Sequence, residues 1–416
     1  MKKILFASAL LFAALTLSAQ ENKPSVEVHG FIRNFFAVDS REMQASNEDL
    51  FTYVPKDGSE YDYASFRFAA LTSRLWVEAK GYEYKGVKFG ARVEADFYNG
   101  LGGDKVTGTA NLRLRQAFMT LARNAWSLKA GQAWHPMASD LPDVIALNSG
   151  APFGPFSRTP LVQYEYTIIP SLSFTAAAIW QMQYVSAGPD GKSAQYIKWG
   201  NTPEVYAGVN FTSGDLLLRL GVDVLSIKPR HYEAGKFLSD RITTVTPFLY
   251  AAWQKDDFSI KLKSVFAEAG EHVNLNGGYG ISAVNSDGSY SYTPTRNSST
   301  WLSMKYSLGN TDFMLFGGYV KNFGTKAPIA VPAGATKEDD YFWFSGNSYS
   351  NLLSLCRLTP AVVYNFGKLA LGLEYEMTSA VYGDKASGMN LDKGLYDKGA
   401  HSVANHRVQA MLKFTF

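Results

Sequence analysis

The chain has a single cysteine, so no disulfide can form within it and a disulfide-built domain is excluded. Charge of one sign is missing too. Forty Lys and Arg stand against 37 Asp and Glu, which removes the basic footprint of a nucleic-acid-binding protein. Charged residues make up 19% of the chain, below the usual share of about a quarter. Beyond the first twenty residues no apolar run is long enough for a transmembrane helix; Phe174 to Trp180 is among the longest and gives way to polar residues. What is abundant is apolar and aromatic: 46% of residues are hydrophobic and 14% aromatic, with 24 Tyr and 27 Phe. That mass excludes a disordered chain, and its aromatic skew favours β structure.

Lys2 and Lys3 precede an apolar stretch from Ile4 to Leu17 that ends in Ser18 and Ala19. The pattern predicts a secretory signal peptide over residues 1–19, cleaved before Gln20, and one domain over 20–416. No cysteine stands near that junction, so it is not a lipoprotein signal. Without Lys2 and Lys3 the chain keeps 38 basic residues against 37 acidic, a net charge of +1. An exported, near-neutral chain without disulfides fits the outer membrane of a Gram-negative bacterium. It can enter lipid only as a closed β-barrel, because only a helix or a closed barrel satisfies every backbone group without water.

The hydrophobic period is two over most of the chain. Val87, Phe89, Ala91, Val93, Ala95 and Phe97 would share one face of a strand, and Lys88, Arg92, Glu94 and Asp96 the other. Val408, Ala410, Leu412, Phe414 and Phe416 repeat the pattern against Arg407, Gln409, Met411, Lys413 and Thr415. The expected fold is all-β: a 16-stranded antiparallel transmembrane barrel. Its strands are read at about 26–38, 65–80, 86–99, 110–123, 125–133, 159–168, 171–184, 203–212, 215–228, 243–255, 257–270, 299–308, 311–322, 352–366, 368–379 and 404–416. Seven short turns at Gly81 to Lys85, Asn124, Ile169-Pro170, Ser213-Gly214, Asp256, Gly309-Asn310 and Gly367 alternate with eight long loops. In outer-membrane barrels the short turns are periplasmic and the long loops extracellular. Pro247 and Pro360 fall inside strands and are expected at bulges or strand ends. Strand 2 is irregular near Phe66 to Ala70 and should extend above the bilayer.

With the apolar face on lipid, the other face lines the lumen. Fifteen basic residues would then point inward, among them Arg33, Arg74, Arg92, Arg113, Arg115 and Lys129, against eight acidic ones, an excess of +7. A barrel of this size leaves an aqueous channel, and the excess favours anionic solutes. Pairing within the wall, for instance of Arg92 with the acids of its own strand, would reduce that preference. The third long loop, Trp134 to Arg158, carries Leu141, Val144, Ile145, Leu147, Phe153 and Phe156, too apolar for a free tip. It is expected to fold inward and narrow the channel, with Asp140 and Asp143 facing a wall of Arg92, Arg113 and Arg115.

The segments HGFIRNFFAV, VEADFYN, LRLRQAFMTL, WSLKAGQAWHP and SRTPLVQYEYT, in that order between Val28 and Thr167, resemble the DcaP-like group of Gram-negative porins. His135-Pro136 after GQAW departs from that pattern, which often has Thr or Ser there. The resemblance implies a homotrimeric 16-stranded channel, a constricting third loop and some preference for small carboxylates. It carries Arg113 and Arg115 over as wall residues and Arg158 as the loop-base residue. Leu412, Phe414 and Phe416 resemble the terminal signal read by the barrel-assembly machinery.

Little points to catalysis. The six histidines, at 29, 135, 231, 272, 401 and 406, form no H-x-x-x-H or H-x-H pair, and neither a G-x-S-x-G elbow nor a P-loop is present. Glu338-Asp339-Asp340 reads as a solvated acidic tip and Cys356 as a small wall residue. The sequence therefore predicts a porin embedded in outer-membrane lipid that passes small hydrophilic solutes passively, with a mild preference for anions. It needs no cofactor, has no catalytic site and has no nucleic-acid partner. A substrate-specific channel for organic acids or phosphate, and a barrel serving as adhesin or envelope scaffold, are the competing readings.

Overall fold

The computed structural model describes residues 24–46, 51–97, 112–233, 235–344 and 349–416. The expected signal peptide, residues 1–19, and the second long loop, residues 100–109, lie outside them. Sixteen antiparallel strands form the wall. They are β1 (Ser25–Asp39), β2 in two pieces (Ser65–Ala69 and Arg74–Tyr84), β3 (Val87–Asp96), β4 (Arg113–Arg123), β5 (Trp126–Trp134) and β6 (Arg158–Ile169). Next come β7 (Leu172–Ile179), β8 (Glu204–Ser213), β9 (Leu216–Ile227), β10 (Ile242–Lys255) and β11 (Phe258–Glu268). The last five are β12 (Tyr290–Leu308), β13 (Thr311–Thr325), β14 (Leu352–Phe366), β15 (Leu369–Tyr382) and β16 (His401–Thr415). Each pairs with its sequence neighbours, and β1 pairs with β16 from Phe31↔Thr415 to Asp39↔Arg407, which closes the ring.

At one end of the barrel every connection is two residues long, from Lys85-Gly86 to Gly367-Lys368. Six of the seven turns carry a residue at positive φ, the one at Pro170-Ser171 being the exception; Gly214 sits at 55° and Gly367 at 65°, where a Cβ would be strained. All the long connections lie at the other end. The first turn differs from the sequence reading. Strand β2 runs on to Tyr84, and Gly81 marks a register shift between Ala79 and Tyr82 rather than the turn itself.

Burial follows the alternation. Along β16, Val408, Leu412, Phe414 and Phe416 are exposed on the outer wall, while Arg407 and Gln409 are buried inside. Exposed Val, Leu, Ile and Phe recur around the outside, an inversion that only a lipid solvent stabilises. Neither proline sits at a bulge. Pro247 pairs regularly with Val222, and the ladder to β11 begins one residue later, at Phe248. Pro360 pairs with Leu315, and the ladder to β15 skips Thr359 and Pro360 without a change of register. Each missing N–H thus falls where a ladder is already interrupted on one side. Strand β2 breaks at residues 70–73, where the Ser73 Oγ accepts the Arg33 backbone N–H at 3.0 Å.

Strand β12 begins nine residues earlier than its expected start at 299. Its first part pairs with an additional strand, Gly278–Val284, which also pairs with Phe342–Phe344. This extension stands on the long-loop side. Its residues Ser291 to Thr300 are mostly polar on both faces, so no amphipathic period announced it.

Candidate channel constriction

The third long loop leaves β5 at Trp134, crosses the lumen and returns at Arg158. Buried Ile145, Phe153 and Phe156 drive it inward, and struts from the far wall hold its backbone. Lys263 on β11 donates to the Met137 carbonyl at 2.9 Å and also to that of Asp140. The Asp143 N–H donates to Ser303 Oγ on β12 at 3.0 Å. Glu374 on β15 accepts the N–H groups of Ile145 at 2.6 Å and Ala146 at 3.0 Å, while Arg33 on β1 donates to the Ile145 carbonyl. Arg357 on β14 donates to the Ala151 carbonyl at 3.1 Å. The Phe153 ring packs edge-on to Phe316 at 6.0 Å and fills the space a side chain at Gly318 would need.

Opposite the loop, β2, β3 and β4 carry a lattice of guanidinium and carboxylate groups. Arg113 grips Asp96 with two bonds of 2.8 and 2.7 Å. Arg115 donates to Glu94 at 2.5 Å and Asp96 at 2.8 Å. Arg92 donates to Glu78 at 2.8 Å and Glu94 at 2.5 Å, and Arg74 lies 3.5 Å from Glu94. Strand register makes these partners: Asp96 stands directly opposite both Arg74 and Arg113.

Of the two loop acids expected to face this wall, Asp143 lines one cavity with Arg92, Arg113 and Arg115 and Asp140 does not, and both take ion-pair partners elsewhere. Asp140 pairs with Arg219 at 3.2 Å and Asp143 with Lys261 at 2.8 Å, both on the far side of the barrel. The reason is local. The wall arginines already have carboxylates in register on adjacent strands, whereas Arg219 and Lys261 lie beneath the loop.

Between loop and wall lies a cavity of about 760 Å³. It reaches from Pro142 and Ile145 of the loop to Asp312 and Asn365 near the two-residue turns. Seven cations line it, Arg33, Arg74, Arg92, Arg113, Arg115, Arg158 and Lys413, against the four acids Glu94, Asp96, Asp143 and Asp312, a balance of +3. Arg158 is 2% exposed; its guanidinium stacks 4.7 Å from the Trp134 ring centre, and its Nη1 has no hydrogen-bond partner. Lys129, expected at the same constriction, lines a second cavity of about 320 Å³ with Asp140, Glu165 and Arg219.

A second buried group was not read as a site. His135, Glu204, Asp223 and His272 meet at the root of the loop, beside Glu271. Burial pushes the Glu271 carboxyl up to about 7. Separations of tens of residues hide such a group from any local motif; the one trace was the departure at His135-Pro136.

The barrel has the porin fold. It superimposes on the DcaP outer membrane channel of Acinetobacter baumannii with a TM-score of 0.68, over 96% of this chain and 100% of that chain, at 19% identity. An anion-selective porin from Comamonas acidovorans gives 0.52 at 13% identity, covering 94% of this chain and 100% of that one. A loop L8 deletion mutant of the Vibrio cholerae outer membrane protein OmpT gives 0.53 at 12% identity, covering 94% and 99%. No family model and no curated protein matches the chain. The resemblance read from five segments in the first half is therefore matched by a likeness of fold along the whole barrel.

Proposed function

We propose that the chain forms a channel in the outer membrane through which small hydrophilic solutes diffuse, with a mild preference for anions. The observation that carries this reading is the +3 balance of the cavity between loop 3 and the arginine wall. Arg33, Arg158 and Lys413 add their charge there without an ion-pair partner among the described residues. Pairing reduces the excess from the +7 counted over all inward positions, so the preference is modest. A fixed positive potential in a narrow lumen raises the local concentration of anions and lowers that of cations. Passage by diffusion requires no catalysis, and the reading assigns none.

Residues 1–19 are the proposed export signal. The outward-facing Leu412, Phe414 and Phe416 suit recognition by the barrel-assembly machinery. Assembly as a homotrimer is part of the proposal; OmpT of Vibrio cholerae has been solved in a trimer form. Planar-bilayer recording in a salt gradient tests the reading. Stepwise conductance with a reversal potential of anionic sign is the expected result. Absence of conductance would end the channel assignment, and a cationic sign would end the anion preference. Block at low concentration by an organic acid or phosphate would replace general diffusion with a substrate-specific channel.

A further inference from the structure

Four ionisable side chains from four separate segments meet at the root of loop 3, apart from the groups lining the channel cavity. His135 opens the loop, Glu204 begins β8, Asp223 lies in β9, and His272 sits in the turn Gly270–Val273 after β11. None is more than 2% exposed. His135 Nε2 lies 2.8 Å from Glu204 Oε1 and 3.6 Å from Asp223 Oδ1. His272 Nε2 lies 3.5 Å from Glu204 Oε1 and 3.7 Å from Asp223 Oδ2. Donor atoms of His135, Glu204 and Asp223 all fall within 4.8 Å of one another. Two buried atoms of the group, His272 Nε2 and Asp223 Oδ1, have no hydrogen-bond partner.

We propose that Glu204, Asp223, His135 and His272 form a binding site for one divalent transition-metal ion of the Zn²⁺ class. The donor set is two imidazole nitrogens and two carboxylates, which suits such an ion and not the oxygen-seeking Ca²⁺ or Mg²⁺. Ligand bonds of about 2.0–2.2 Å make a tetrahedron with edges of roughly 3.3–3.6 Å. His272 Nε2 stands 3.5 Å from Glu204 Oε1 and 3.7 Å from Asp223 Oδ2, and His135 Nε2 stands 3.6 Å from the other oxygen of Asp223, all close to that edge. To close round one ion, the 2.8 Å contact of His135 with Glu204 must widen and Asp223 must turn one oxygen toward both rings.

Proton positions are compatible with this. His272 Nδ1 lies 3.1 Å from the Ala269 carbonyl and donates to it, so in the neutral ring Nε2 presents its lone pair to the cluster. A ring held in this way by a backbone carbonyl is the usual outer support of a metal-binding histidine. His135 accepts the Met137 N–H on Nδ1 at 3.2 Å, which leaves its proton on Nε2 toward Glu204. To ligate, this ring shifts its proton to Nδ1 and gives up that one long bond.

Charge frames the alternative. With neutral rings the pocket holds two buried negative charges, which a divalent cation cancels. With both rings protonated it is neutral without an ion, a closed salt-bridge quartet. An ion would fasten the root of loop 3 to β8, β9 and the connection after β11. Because every donor is buried, it would load as the loops close during folding.

The test is to refold the full-length chain into detergent with Co²⁺ as a spectroscopic probe and remove the excess. One Co²⁺ per chain, with the intense visible absorption of a four-coordinate ion, is the expected result. His272→Gln and Asp223→Asn should each weaken retention at least about tenfold, while His231→Gln, outside the cluster, should bind like the parent. Folded parent chain without stoichiometric Co²⁺, or with the pale spectrum of a six-coordinate ion, would overturn the site. Undiminished binding by His272→Gln would overturn it as well. The parent chain alone can decide, so a variant that fails to fold does not shield the proposal. Single-channel conductance of the same sample reports the channel assignment separately.

Discussion

Replacing Arg158 by Gln should lower the anion-to-cation permeability ratio by about three- to tenfold. Arg158 lines the cavity between loop 3 and the arginine wall, and its Nη1 has no hydrogen-bond partner. Taken as a sphere, a cavity of 760 Å³ has a radius of roughly 5.7 Å, so a centred ion sits about 6 Å from the lining charge. Even at the dielectric constant of water, one charge at that distance shifts a monovalent ion by about 0.7 kcal/mol. An anion gains what a cation loses, so the ratio moves by about 1.4 kcal/mol, a factor of ten. Screening with a Debye length of about 10 Å at 0.1 M salt reduces the factor to roughly three or four. At 1 M salt, where that length is about 3 Å, most of the difference should vanish. The measurement is the bilayer reversal potential at several ionic strengths. An unchanged potential in a variant that still forms heat-resistant barrels would refute the reasoning, since it would mean that charge at this position does not reach the conducting path.

The barrel seam offers a sharper stability test. Asp39 accepts two bonds from Arg407, at 2.8 and 2.7 Å, and one each from Arg67 and Asn405, both at 2.7 Å. Asp39→Ala removes both of those bonds from the buried Arg407 and should cost about 3–5 kcal/mol in urea unfolding; a loss near zero would show that the backbone ladder alone holds the seam. Gly30→Val should block closure, because a Cβ there would stand 2.6 Å from the Phe416 ring and 2.8 Å from the Arg74 carbonyl. Its readout is loss of the folded band in unheated gel samples, and a normal band would contradict the contact. Leu412→Arg, on the outer wall, should destabilise by about 2–4 kcal/mol if it meets the midplane of the bilayer; unimpaired assembly would argue against the assigned lipid face. Arg113→Glu with Arg115→Glu sets two new carboxylates against Glu94 and Asp96. It should shift selectivity toward cations and also reduce thermal stability, and a selectivity change at unaltered stability would contradict the lattice.

All sixteen strands could be read from the amino acids because lipid imposes the simplest of patterns, apolar outside at every second position. Val87 to Asp96 and Arg407 to Phe416 display it almost without error. The reading weakened wherever lipid stops. Tyr290 to Ser298 continues as strand on the long-loop side, and there the buried positions include the polar Thr293, Thr295 and Asn297, so its composition carries no apolar period. Loop 3 announced its inward fold through Ile145, Phe153 and Phe156, but not the ion-pair partners of its acids. A list of inward charges does not say which carboxylate stands opposite which arginine; strand register does. Asp96 lies across from Arg74 and Arg113, and that neighbour relation left Asp140 and Asp143 to Arg219 and Lys261. The His135 group drew on four distant segments, and its one local trace was the departure at His135-Pro136.

The struts beneath loop 3 have a bearing on how such a channel would be controlled. The obstruction is tied to β1, β11, β12, β14 and β15, so moving it aside would require breaking those bonds. Held in this way it would act as a fixed bore rather than a valve. Throughput would follow the concentration difference across the wall, and a cell wishing to change it would have to change how many copies it installs.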